Sequence, residues 1–249
     1  MKGLITTILA VLFTGVTLVA VLLIILVKFD YNSALGKDLR LQALHFPAFV
    51  QIFNLNQPGD NRLAYLSDKY PDFSVSIHYL QDALPEEEVT TWVTYMIRDT
   101  TGKVPTVGAP RIMAYPTQTS YTDRDLNQIR KTLSIPFTSP AQLKIVYLSA
   151  YTPKPDYLGI ILHRDTIFIF KDQLRNLQEK PDIMKRLEHS TLMHEWGHLL
   201  GLAHVPFSGC IMSEDVEVYD NRWLKDIEVP LTHCQDTLYD LGVMKEQYR

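Results

Sequence analysis

Three histidines and a glutamate share one eleven-residue stretch, HEWGHLLGLAH at residues 194–204, and this stretch constrains the chain more than any other. Pro181 and Asp182 upstream are helix-start signals, and Gly201 is a stop signal. The spacing predicts a helix of about twenty residues between them. At about 100° per residue, Ile183, Leu187, Thr191, His194 and His198 fall within an arc of about 80°. His194 and His198 sit one turn apart on that face, so two imidazoles can grip one ion. Glu195 lies roughly 60–100° around from them, where a carboxylate reaches a water on the metal without binding the metal itself.

Two imidazoles leave a zinc ion short of ligands, because catalytic sites use three protein ligands and one open position. Gly201 supplies the remedy. In a left-handed conformation it ends the helix and turns the chain, so that His204 swings back to the same ion. A continued helix would carry His204 about 9 Å along the axis from His198. His194, His198 and His204 are thus read as ligands of one catalytic Zn2+, and Glu195 as the general base. Zinc brings the pKa of a bound water to about 7 and polarises a peptide carbonyl. Glu195 would accept the water's proton and pass it to the leaving amine, a contribution of about 10²–10⁴-fold. HExxH alone is a weak signal, whereas the full string is specific.

The N-terminus sets the compartment. Residues 3–27 carry no charge and would span roughly 37 Å as a helix, against a hydrocarbon core of about 30 Å. The run is too long for a secretory signal, so one uncleaved transmembrane helix is expected. Lys2 lies on one flank; Lys28, Lys37 and Arg40 lie on the other. A short N-terminal tail before a long apolar run favours a single-pass protein with its bulk outside the cytoplasm. An intramembrane protease is excluded, because the histidine motif follows MKRLEHS far from the only such span.

The 249 residues suit one domain plus an appendage. Net charge is −4 with no Lys/Arg cluster, which excludes nucleic acid as a partner. The only cysteines, Cys210 and Cys234, exclude a disulfide-rich scaffold and a four-cysteine zinc site. Three segments are expected: an anchor at residues 1–30, a stalk or lead-in at 31–70 with a turn in NQPGDNR, and a catalytic domain at 71–249.

Within the last, FSVSIHYL alternates as a half-buried strand does. A helix starting near Pro85 buries Val89, Trp92, Val93, Met96 and Ile97 and stops at Gly102. RIMAYP and QLKIVYLSAY read as strands, DRDLNQIRKTL as a short helix. YLGIILHRDTIFIF splits at His163-Arg164-Asp165 into two β-rich runs, by a hairpin turn or a bulge. A last short helix is expected in DTLYDLGVMKEQ. The alternation of strands and helices makes the domain mixed α/β.

HExxHxxGxxH followed by methionine resembles the metzincin clan of zinc endopeptidases, with Met212 in the place of the Met-turn beneath the metal. The resemblance implies an α/β (α+β) zincin domain: a mixed twisted sheet, a long active-site helix and a small C-terminal subdomain. It also implies an antiparallel edge strand that binds peptide or protein substrate by strand addition, and YLGIILHRDTIFIF is the candidate here. The short gap from His204 to Met212 is most similar to archaemetzincins. Their pattern continues C-x4-C-x-M-x17-C-x-x-C, four cysteines holding a structural zinc. Cys210 and Met212 match it, Val205 replaces the first cysteine, and Cys234 is one residue out of register. Half the cysteine set is absent, so a second zinc is not expected and a Cys210–Cys234 disulfide is the simpler use of what remains.

Tyr219 follows the Met-turn as an oxyanion-stabilising tyrosine does in some metzincins, at a different spacing. His189, one turn before the motif, reads as a solvent-facing helix histidine. His45, His78 and His163 read as ordinary, and His233 beside Cys234 is a minor candidate for a metal site. The leading function is a membrane-anchored zinc endopeptidase. Its alternative is a catalytically silent, zinc-stabilised module that binds peptide in the same cleft.

Overall fold

The structure, a computed structural model, describes residues 2–29, 33–44, 46–133, 140–175, 181–206, 209–214 and 229–248. The chain forms two compact units, Met1–Asn56 and Gln57–Arg249.

The first unit holds helices α1 (Lys2–Phe29), α2 (Ala34–Ala43) and α3 (Pro47–Phe53). Residues Val11–Lys28 of α1 have a mean hydropathy of 2.7, so this helix is long and apolar enough to cross a membrane. Ser33 caps α2, its hydroxyl accepting from the Gly36 N–H at 2.9 Å. Arg40 of α2 donates to the Val27 carbonyl of α1 at 2.8 Å.

The second unit is built on a six-stranded sheet. Its elements are α4 (Arg62–Leu66), β1 (Phe73–Tyr79), α5 (Val89–Thr101), β2 (Thr106–Val107), β3 (Arg111–Ile112) and α6 (Asp123–Thr132). They continue with β4 (Ala141–Leu148), β5 (Gly159–His163), β6 (Thr166–Phe170), α7 (Lys171–Arg175), α8 (Pro181–Leu200) and α9 (Gln235–Tyr248). The strand order is β2-β1-β4-β6-β5, with β3 also pairing β1. All pairs are parallel except β5 with β6. Central β4 and β6 are almost continuously buried, the pattern of parallel strands covered on both faces. β5 is the antiparallel edge strand, and its outer side has no strand partner among the described residues.

The His163-Arg164-Asp165 break is both a turn and a bulge: the chain reverses at Arg164 and Asp165, and the register slips between Ile161 and His163. Buried Asp165 fixes this corner. Its carboxylate accepts from Arg130 Nε at 2.8 Å and from the Thr166 hydroxyl at 2.9 Å.

Helix α5 starts at Val89, four residues later than Pro85 suggested. The Glu86 N–H, ahead of this start, donates to the Glu188 carboxylate at 3.0 Å. Val89, Val93, Met96 and Ile97 are buried as expected, whereas Trp92 is half-buried. Helix α8 is docked by Trp196, which is fully buried. Its indole donates to Thr100 Oγ1 at 2.9 Å, and its ring packs on Tyr65 and Phe73 with centroids at 5.1 and 5.9 Å. Glu188, also fully buried on α8, pairs with Lys171. Burial pushes the Glu188 carboxyl above its ordinary range, and Lys171 opposes that shift.

Candidate metal centre

The helix that carries His194, Glu195 and His198 stops by a two-bond turn. Gly201 has φ +96°, its N–H donates to the His198 carbonyl at 2.9 Å, and the Leu202 N–H donates to the Gly197 carbonyl at 2.9 Å. The lack of a side chain here also leaves room for Arg62. A Cβ on Gly201 would lie 2.2 Å from Cζ of Arg62, whose guanidinium is pressed against the helix C-terminus. That placement also sets a cation at the negative end of the helix dipole.

The turn brings His204 back to the helix. The three Nε2 atoms then converge, at 3.0 Å for His194 to His198, 2.9 Å for His198 to His204 and 3.2 Å for His204 to His194. Among the described residues this is the group of His, Cys, Asp and Glu side chains able to hold a metal ion. Two rings are fixed from behind. His194 Nδ1 lies 2.7 Å from the Ile211 carbonyl and His198 Nδ1 lies 3.0 Å from the Leu202 carbonyl. A carbonyl only accepts, so each Nδ1 carries the proton and each Nε2 presents a lone pair. Converging lone pairs repel one another unless a cation sits between them. A tetrahedral zinc with bonds of about 2.0 Å spaces its ligands by about 3.3 Å, within a few tenths of an ångström of what is found. The donor set therefore fits zinc, with the carbonyl support behind the imidazoles that such ligands use.

Met212 is fully buried. Its Sδ would lie 2.3 Å from a Cβ at Gly197, so the methionine reaches the helix only because position 197 has no side chain. The Val205 N–H donates to the Met212 carbonyl at 2.9 Å, tying the segment after His204 to the floor. Cys210 and Cys234 form a disulfide, which joins this floor to the start of α9. The Ile211 N–H adds a bond to the Thr232 carbonyl at 3.1 Å. With both sulfurs joined, neither cysteine offers a thiolate.

Glu195 is nearly buried between the helix and the edge strand. A Cβ at Gly159 of β5 would stand 3.2 Å from Oε1 of Glu195 and 2.6 Å from Thr191 Cγ2. The strand backbone therefore comes closer to the carboxylate than any other residue type would allow. A cleft of about 250 Å³ opens there, lined by Tyr151, Lys154, Tyr157, Gly159, Glu195 and His198. Tyr151 is fixed by its hydrogen bond to Asp123 and by stacking on Phe170 at 5.4 Å.

The remaining histidines divide. His189 is not solvent-facing as expected. It stacks on Trp92 at 4.7 Å with planes 8° apart, and burial pulls its pKa to about 4. Neither ring nitrogen of His233 has a hydrogen-bond partner among the described residues, and it is not one of the converging donors. His163 and His78 lie in the sheet, and burial lowers the pKa of both. His45 and Tyr219 fall outside the described residues, as does most of the segment between Met212 and Val229. Gly197 and Gly159 escaped the sequence reading. The first carried a signal, since a helix-interior glycine costs about 1 kcal/mol relative to alanine and calls for a packing reason. The second carried none.

No protein-family description matches the chain, and no curated protein does. Solved structures do. Archaemetzincin from Methanopyrus kandleri superposes with a TM-score of 0.52 at 15% identity, covering 71% of this chain and 97% of that one. Archaemetzincin from Archaeoglobus fulgidus gives 0.46 at 13%, over 67% and 99% of the two chains. A zinc-dependent peptidase from Methanocorpusculum labreanum gives 0.48 at 15%, again over 67% and 99%. The Methanopyrus kandleri match spans nearly the whole of an archaemetzincin, so the fold of this chain is the archaemetzincin fold.

Proposed function

We propose that the protein is a membrane-anchored zinc endopeptidase, with His194, His198 and His204 as metal ligands and Glu195 as general base. The convergence of three imidazole Nε2 atoms to 2.9–3.2 Å, with a glutamate beside them, carries this reading. The archaemetzincin fold supports it. Zinc at this position supplies a Lewis acid for the scissile carbonyl and lowers the pKa of a water to about 7. The outer edge of β5 holds the peptide as an added strand, its backbone pairing with that of the substrate. Gly159 allows this strand to lie against Glu195, whose carboxylate takes the proton of the attacking water and returns it to the leaving amine. Helix α1 spans the membrane, and the rest of the chain lies on the extracytoplasmic side, where a disulfide such as Cys210–Cys234 persists.

The full-length protein in detergent is expected to bind about one zinc per chain and to cleave a peptide library. Glu195→Gln is expected to keep the zinc and lose about 10²–10⁴-fold in turnover. Wild-type turnover in the zinc-loaded variant would refute the role of the base. Failure of the wild type to take up zinc would refute the metal reading.

A further inference from the structure

The first unit presents a second apolar surface besides the long helix. Phe46, Phe49 and Ile52 are 55%, 44% and 66% exposed, and residues 46–53 contain no charged residue. Phe46, Phe49 and Phe53 form a continuous row, with ring centroids 5.5 and 5.8 Å apart. Bare aromatic surface of this kind marks a contact rather than a solvated face.

Its position shows which contact. Along α1, residues 11–25 are all exposed, Leu26 is part-buried, and Val27 is buried. Arg40 of α2 reaches the Val27 carbonyl at 2.8 Å, and α3 also packs on α1. The two short helices thus gather at the last turn of the apolar helix and leave its upstream length bare. If that length fills the hydrocarbon core, α2 and α3 stand at the level where hydrocarbon gives way to headgroups. A short segment rich in phenylalanine at that depth buries its apolar side chains in the acyl boundary. On the neighbouring α2, Lys37 and Asp38 are part-exposed and Gln42 is exposed.

We infer that α3 is a membrane-interface helix, docking Phe46, Phe49 and Ile52 into the lipid bilayer beside the point where α1 leaves it. The inference rests on the reading of α1 as a membrane span and adds a second lipid contact to it.

Nitroxide labels on full-length protein reconstituted in phosphatidylcholine/phosphatidylglycerol vesicles test this. Cysteines are introduced singly by Phe49→Cys, Ile52→Cys, Gln42→Cys and Leu18→Cys, with the native disulfide intact. All four positions are exposed, so the labels do not disturb packing. The ratio of oxygen to water-soluble nickel collisions at 49 and 52 is expected to rise above that at 42 and approach that at 18. Ratios at 49 and 52 equal to that at 42, with 18 in lipid, overturn the inference and leave the anchor standing. A water-like ratio at 18 overturns both. Spin–spin broadening at 49 that fades on dilution with unlabelled protein places a second copy of the chain on this surface, and also overturns the inference.

Discussion

Gly197 shows how one missing side chain organises the candidate metal centre. Alanine there would favour the helix by about 1 kcal/mol on propensity alone. Its methyl group, however, would stand 2.3 Å from Met212 Sδ, and relieving such overpacking typically costs about 1–3 kcal/mol. The methionine would have to move, and with it the neighbouring Ile211 carbonyl that holds His194 Nδ1. Loss of such support typically weakens metal binding by about 10–100-fold. Gly197→Ala is therefore expected to lower zinc affinity by that factor while far-UV dichroism stays unchanged. Competition with a chromogenic chelator checks it, and an alanine variant with unaltered affinity would show that Met212 has room to spare.

The β5–β6 hairpin forms the antiparallel edge of the sheet, and its corner is held by a buried charge. Burial alone would raise the Asp165 carboxyl. Arg130 and Lys144 outweigh burial and bring it down to about 2, from an ordinary 3.8. A carboxyl depressed by folding stabilises the protein above its unfolded pKa and ceases to do so as pH falls through the folded one. Asp165 thus contributes about 2 kcal/mol, fully present above about pH 4 and lost between about pH 4 and 2. Asp165→Asn should flatten the acid limb of stability in that window, seen as a smaller fall in the urea midpoint from about pH 4.5 to about 2.5. The variant should also lose peptide affinity through the loosened edge. An unchanged acid limb would mean that the hairpin is held by other contacts.

Across the whole second unit, two neutral histidines make stability depend on pH in a milder range. Burial, seconded by Arg130, brings His163 to about 4, and burial alone brings His189 to about 4, from an ordinary 6.5. The unfolded chain binds these protons more readily than the folded one. The stability they contribute is therefore present above about pH 6.5 and lost as pH falls toward about 4, on the order of a few kcal/mol in all. Denaturant midpoints measured from about pH 7 to about 4.5 should fall steeply in the wild type and less in His163→Gln and His189→Gln. The comparison with variants separates this slope from protonation of His194, His198 and His204, which all three proteins share. Parallel slopes would place both rings in contact with water.

The convergence of His194, His198 and His204 was legible because their spacing is local. Two histidines at i and i+4 on a helix and a glycine that permits φ +96° need only a few residues of context. The apolar helix at the N-terminus and the alternation of strands with helices were readable for the same reason, since hydrophobic periodicity is a property of neighbouring residues. Other features depend on groups that meet from far along the chain. The Ile211 carbonyl fixes a ring seventeen residues away, and the Glu188 carboxylate accepts from the Glu86 N–H, 102 residues upstream. Trp92 covers a histidine that helical position alone would leave in water, and Gly159 lets a strand touch the carboxylate of a helix three elements later. Local pattern carries no record of such meetings, because they follow from how the sheet stacks on α8. The chain thus announces its chemistry in eleven consecutive residues, while the support, the approach of substrate and the pH response arise only when distant segments are packed together.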